Sequence, residues 1–244
     1  MKQIRATRSF LNKLWSDLDS LEQLNHATGR GAANILLGLS KRTGWPLLEQ
    51  RSWRTPVLSL YSFLGNGLSL GLLSILALLT QSPFVYPGLG PTGFLLFSLT
   101  SSPMACPRNA IIGNAIALLV GYLCLMITGL TEAGSALTVG FIWPRVIAVA
   151  LSIALTSGLL DLLHVQHPPA GASALVVSLG LITTPWKLGA VLVSIGLLIL
   201  LAILINRLAG IRYPLWNPLP FCVEEEIIAQ AKQLAHERTE EVPE

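Results

Sequence analysis

Four stretches of the chain are apolar over a length that can cross a bilayer, roughly 57–79, 110–130, 144–163 and 188–205. Each approaches the ~20 residues that a hydrocarbon core requires of a helix. Trp53, Trp143, Trp186 and Trp216 flank these stretches, as interfacial aromatics do. Pro56 and Pro144 mark helix starts, where a missing N–H costs little. Between the spans lie two shorter apolar runs, each interrupted at its front. One is Tyr86-Pro87-Gly88-Leu89-Gly90-Pro91-Thr92-Gly93 leading into Phe94-Leu95-Leu96-Phe97. The other is His167-Pro168-Pro169-Ala170-Gly171-Ala172-Ser173-Ala174 leading into Leu175-Val176-Val177. Proline removes a backbone donor, so both runs read as an extended approach turning into a short helix. Broken backbone at membrane depth is tolerated only where protein or a water-filled cavity satisfies it.

The two broken runs correspond to each other. Gly90-Pro91-Thr92-Gly93 aligns with Gly171-Ala172-Ser173-Ala174, and Ser102-Pro103 matches Thr184-Pro185, with a lone base following each, Arg108 or Lys187. The chain therefore reads as two repeats, about 56–130 and 143–208, each made of a span, a broken half-helix and a span. The fold class is all-α: a polytopic membrane protein with four full transmembrane helices and two re-entrant half-helices. The alternative is six crossings, with each half-helix and its extended lead passing through, which makes an inverted 3+3 repeat. Paired, Gly/Pro-interrupted short segments in two halves point to a transporter's binding site.

Outside the membrane domain at 56–208, the pattern changes. In the 1–55 region Phe10, Leu11, Leu14, Trp15, Leu18, Leu21 and Leu24 recur at helical spacing, so an amphipathic helix on the membrane or on a partner is expected. A second weakly apolar piece, 32–39, is expected at the interface as well. The 209–244 tail carries Glu224, Glu225 and Glu226 at the start of a short charged helix, where the helix dipole favours acids. The amino terminus is basic but lacks an apolar run at signal-peptide distance, so it reads as retained.

Composition agrees with the pattern: 52% hydrophobic, 12% charged, mean hydropathy +0.62. A soluble domain carries about twice that charged fraction. Placement of charge says more than its total. Of 16 Lys and Arg, nine precede Pro56, and only Arg108, Arg145 and Lys187 lie between there and the end of the last span. By the positive-inside rule both termini are cytoplasmic and the number of crossings is even. The scattered basic residues suit anionic lipid headgroups and not nucleic acid. A prokaryotic cytoplasmic membrane is the expected location. Cys106, Cys124 and Cys222 show no metal spacing, and no cofactor or metal is expected.

Helix amino termini present unpaired N–H groups and a positive dipole end to small anions. Two half-helices starting near 90–92 and 171–173 can converge on one ion. The candidate substrate-binding set is Gly90, Thr92, Gly93, Arg108, Asn109, His167, Gly171, Ala172 and Ser173. Glycine permits close approach, the hydroxyls donate, Arg108 attracts, and His167 could donate a proton, since the reference pKa of histidine lies near physiological pH. Asp161 and His164 stand at i and i+3, a pair for proton coupling or for structure. The alternative to a site is that the small residues only let helices pack closely. No HExxH, GxSxG or phosphate loop is present, so an enzyme is not expected. The function expected is transport of a small inorganic anion; a passive anion channel and a non-transporting assembly module are the alternatives. Four spans enclose little interior, so a homo-oligomer is expected.

The run from His167 to Ala172 resembles the signature of the HPP family of integral membrane proteins. Gly90-Pro91-Thr92 with Leu95-Leu96-Phe97, followed by Pro107-Arg108-Asn109 and Gly113, is similar to that family's second landmark. The resemblance covers about 57–208 and departs from the family's usual residues at Pro91, Cys106 and Asn114. It implies a membrane domain usually described as four-spanning. From cyanobacterial and plastid members it also implies a part in nitrite transport. Nitrite enters from the resemblance alone.

Overall fold

A computed structural model describes residues 51–218 together with Ile35, Gly38, Leu39 and Arg42. The expected helices near residues 10–24 and 224–241 lie outside the described residues. Seven α-helices are described and no strand: α1 (Arg51–Thr80), α2 (Leu89–Ser98), α3 (Pro107–Ile127), the short α4 (Ala136–Val139), α5 (Trp143–Leu162), α6 (Ala170–Ser178) and α7 (Pro185–Leu208). The helices α3, α5 and α7, with Pro56–Thr80 of α1, are long and apolar enough to cross a membrane. All four expected spans are there.

Proline punctuates the starts. Pro107, Pro144 and Pro185 each stand in the first turn of their helix. Pro56 does not: α1 begins at Arg51, so Pro56 lies inside it at the cost of one intrahelical hydrogen bond. The alignment of Ser102-Pro103 with Thr184-Pro185 also shifts. Ser102-Pro103 opens a 3₁₀ turn (Pro103–Ala105), and Cys106-Pro107 is the pair that opens the next span. The first repeat carries this extra turn, and it proves to hold part of the candidate site.

Contacts along the helices decide which way each half-helix runs. The end of α2 lies beside the first half of α1: Ser98 Oγ is 3.1 Å from Ser62 Oγ. Nearer its start, Gly93 abuts the Asn66 amide, where an added methyl would come within 2.6 Å. The extended lead from Gln81 and α2 together thus run back along α1 to the face where α1 begins. At that face α7 ends, since Asn206 Nδ2 donates to Leu96 O at 3.2 Å and Tyr61 OH donates to Asn206 Oδ1 at 2.6 Å. Here too α3 begins: Arg108 N–H donates to Trp216 O at 3.1 Å, and Tyr213 OH donates to Ala105 O.

The second half runs the other way. The end of α6 meets the start of α5, with Arg145 Nη1 donating to Ser178 O at 3.1 Å. It also meets the loop after α3, with Ala136 N–H donating to Leu179 O at 2.9 Å. Along α3, Gly113 faces His167 and Ala170 while Gly121 faces Ala174 and Val177, so α6 continues in the direction of α3 toward the opposite face. Each half-helix with its lead therefore passes through and does not return to the face it came from. Of the two topologies open to the sequence, the structure has the inverted 3+3 repeat.

The halves are interlocked. Half-helix α2 packs on α1 and on α7 of the other half; α6 packs on α5 and on α3 of the other half; α3 and α7 meet between them. Half of the apolar stretch of α3 is buried, against 17% of that of α1, which places α3 at the centre and α1 at the rim. The rim face of α1 (Leu60, Phe63, Leu64, Leu68, Leu72, Ile75) is exposed and apolar, as a lipid-facing surface is. Trp143 and Trp186 are exposed at helix starts and Trp216 in the segment beyond α7, and Lys187 Nζ stands 5.8 Å from the Trp186 ring centre. Ile35 is buried, and Gly38 packs against Ile211. Ile211 and Tyr213 beyond α7 are buried as well, so the membrane core recruits both flanks.

Candidate functional site

The two leads meet between the faces. Tyr86 in the first lead reaches across to α6 and α3: its hydroxyl lies 3.0 Å from Ser173 Oγ and donates to Asn114 Oδ1 at 3.4 Å. Ser173 Oγ donates to the same Asn114 oxygen, and Asn114 Nδ2 returns to Ala110 O at 2.8 Å. Gly88 closes on this group so tightly that a methyl would stand 2.5 Å from the Tyr86 ring and 3.0 Å from Ser173 Oγ. Glycine is required there for space.

A second chain of hydrogen bonds lies alongside. His167 Nδ1 is 2.9 Å from Met104 O, which assigns the ring proton to Nδ1. His167 Nε2 faces Thr92 Oγ1 at 3.4 Å, while Thr92 Oγ1 donates to Gly88 O at 2.9 Å. The threonine has one proton, and the shorter bond takes it. A proton arriving on Nε2 would therefore find an acceptor already oriented: Nε2–H to Thr92, Thr92 to Gly88. The carbonyl that holds Nδ1 belongs to the extra 3₁₀ turn, which Ser102 Oγ caps at Met104 N (3.2 Å) and Asn109 Nδ2 holds at Pro103 O (3.0 Å).

Thr92, Ser173 and Asn114 are fully buried and His167 is 1% exposed, so the cluster is occluded. Four side-chain donors (Thr92, His167, Ser173 and Tyr86) gather where the half-helices begin, and each is satisfied internally. The first N–H groups of α6 are in use too: Ala170, Gly171 and Ala172 bond back to His167, Pro168 and Pro169 at 3.0–3.1 Å. The sequence expectation of unpaired N–H groups is corrected here, because two prolines ahead of the helix shape a tight turn that feeds it carbonyls. The dipole remains.

The candidate residues divide. Thr92, His167 and Ser173 come together. Gly90 is exposed on the outer side of α2 with open space around it, and Gly93 faces α1. Gly171 and Ala172 are half-buried, and the nearest neighbour of Gly171 is Ile153 of α5. Arg108 and Asn109 stand at the start of α3, nearer the face. Asp161 and His164 are exposed and joined by a backbone bond, His164 N–H to Asp161 O at 3.1 Å, without a side-chain ion pair. His164 adopts a left-handed φ of 52°, and the helix has already ended there, so helical spacing does not bring the side chains together. Tyr86 and Asn114 were missed. Asn114 carried a signal, being an amide in the middle of an apolar span; Tyr86 carried none beyond its place next to Pro87.

This architecture defines a class: a polytopic α-helical membrane protein built as an inverted repeat around two broken helices. The chain belongs to the HPP family, whose transmembrane region matches residues 52–214. It is similar to a transmembrane protein of Dictyostelium discoideum, 28% identical over 186 residues that take in 73% of this chain and 60% of that protein. The chain thus spans about 60% of that relative's length. No solved structure matches.

Proposed function

We propose that this protein carries a small inorganic anion across the bilayer, with nitrite as the first to test, through the place where the two broken helices begin. The observation that supports this reading is the convergence of both breaks on one buried cluster. Thr92 of one half-helix faces His167 ahead of the other at 3.4 Å, and Tyr86 ahead of the first faces Ser173 of the second at 3.0 Å. Paired half-helix amino termini near mid-depth are how inverted-repeat transporters address anionic groups. An anion taken up there would exchange the internal partners of the Thr92, Ser173 and Tyr86 hydroxyls for itself. A protonated His167 would balance its charge, which is the basis for coupling uptake to protons. Access requires the half-helices to part, since the cluster is closed.

Arg42, Arg51, Arg54, Arg108, Arg207 and Arg212 belong to the face where α1 begins, against Arg145 and Lys187 at the other. By the positive-inside rule the first face is cytoplasmic, in a prokaryotic inner membrane. A homo-oligomer follows from how little interior four long helices enclose.

The test is nitrite uptake into proteoliposomes with and without an inward proton gradient, using the wild type, His167→Ala and a Thr92→Val/Ser173→Ala double variant. Gradient-stimulated uptake that falls at least tenfold in both variants is the expected result. Uptake indifferent to the gradient would make the protein a channel. Absence of uptake by folded, inserted protein would overturn transport of nitrite and leave an assembly module.

A further inference from the structure

Arg145 is the largest fully buried side chain among the described residues. It stands in the first turn of α5, and its guanidinium keeps its charge at any accessible pH. A buried cation is costly unless something compensates it, yet among the described residues no carboxylate does so. Residues 51–218 hold two acids. Glu132 is exposed in the loop before α4, and Asp161 lies at the far end of α5. The guanidinium instead faces backbone: Nη1 donates to Ser178 O at 3.1 Å and Nη2 to Gly134 O at 2.7 Å. Its Nε–H is buried without a partner. Gly180 makes the room, since its φ is 76° and a methyl there would stand 2.9 Å from Nη1.

Ser178 is the last residue of α6. A helix carries about half a negative charge at its carboxyl end and half a positive charge at its amino end. The guanidinium therefore lies on the negative pole of α6. The positive pole, where His167 and Ala170 stand, is about 12 Å away over eight residues of rise. The matching carbonyls of α2 are held by neutral groups, Asn206 Nδ2 on Leu96 O and Ser62 Oγ on Phe97 O. One half-helix has its negative end cancelled by a cation and the other does not.

We propose that Arg145 determines the charge specificity of the site from behind: by neutralising the carboxyl pole of α6 it leaves the amino pole unopposed, favouring a small anion at the cluster. This deepens the anion reading and rests on it. A unit charge about 12 Å away, at an effective dielectric constant near 20, changes anion affinity about tenfold.

The test is concentration-dependent nitrite uptake by the full chain in proteoliposomes for wild type, Arg145→Lys, Arg145→Gln and Gly134→Asp. The glutamine keeps a donor for Ser178 without charge; the aspartate leaves Arg145 in place and adds a carboxylate at the residue whose carbonyl Nη2 bonds, on the side of Val139, whose Cγ1 would stand 2.9 Å from the new Cβ and must turn aside. Expected are a KM within about twofold of wild type for the lysine variant, about tenfold higher for the glutamine and severalfold higher for the aspartate, with maximal rates changed less than about threefold. If Arg145→Gln does not fold, Gly134→Asp decides, because a purely structural clamp predicts no change in its KM. A folded Gln or Asp variant with wild-type KM overturns the inference while uptake by the wild type leaves the anion reading standing. A wild type that takes up no nitrite overturns both.

Discussion

The two half-helices begin in the same buried cluster but end differently. The carboxyl end of α2 is closed by Asn206, Ser62 and, through Asn206, Tyr61, all neutral. The carboxyl end of α6 is closed by the cation Arg145. The repeat preserves the shape of the half-helix and the need to satisfy its last carbonyls, since no water in a hydrocarbon core can do so. It does not preserve the chemistry that satisfies them. Inverted symmetry here fixes where backbone is broken, and the side chains at the closures then make the halves electrically unlike.

The comparison can be broken most forcefully at the charged end. Arg145→Met should strand the Ser178 and Gly134 carbonyls and lower unfolding stability by about 2–4 kcal/mol, an unmet buried polar group costing about 1–3 kcal/mol. Chemical denaturation in detergent reads this directly, and a loss under about 1 kcal/mol would mean the guanidinium closes nothing. At the neutral end, Asn206→Leu removes donors to Leu96 O and Ala202 O and leaves Tyr61 OH without its acceptor. Neutral hydrogen bonds are weaker than charge-assisted ones, so a smaller loss of about 1–2 kcal/mol is expected in the same assay. Equal losses would erase the distinction between the closures. Smallest of all, Gly67→Ala on the rim of α1 meets open space and should raise stability by about 0.5–1 kcal/mol, because alanine favours helix over glycine.

Much of this fold was legible in the sequence because membrane solvent imposes a simple code. Long apolar runs became α1, α3, α5 and α7, and the Gly/Pro-interrupted runs became α2 and α6. Their direction was not legible. Re-entrant and crossing half-helices exchange the sides of Arg108 and Arg145 and so leave the number of charges on each face the same, and the answer lay in long-range pairs such as Tyr61 with Asn206 and Arg145 with Ser178. Within the candidate site, Thr92, His167 and Ser173 were readable because hydroxyl and imidazole stood next to a break. Gly90 and Gly93 were adjacent in sequence but sit on other faces of a helix that begins a residue earlier, at Leu89. Arg145 was invisible because a base following Trp143-Pro144 at a helix start has the appearance of an interfacial anchor, as Lys187 after Trp186 also has.

The swapped packing of the half-helices has a consequence for how the chain is made. Helix α2 lies against α7, and the bond from Tyr61 to Asn206 joins residues 145 apart. A ribosome releasing this protein into a membrane would deliver α1, α2 and α3 long before α7 exists to cover them. Until then α2 would rest in lipid or against the insertion machinery with the Leu96 carbonyl unmet. The first half of the molecule is thus the last to be completed, and a chain halted before α7 would hold a membrane-inserted but unfinished protein, a ready substrate for quality control.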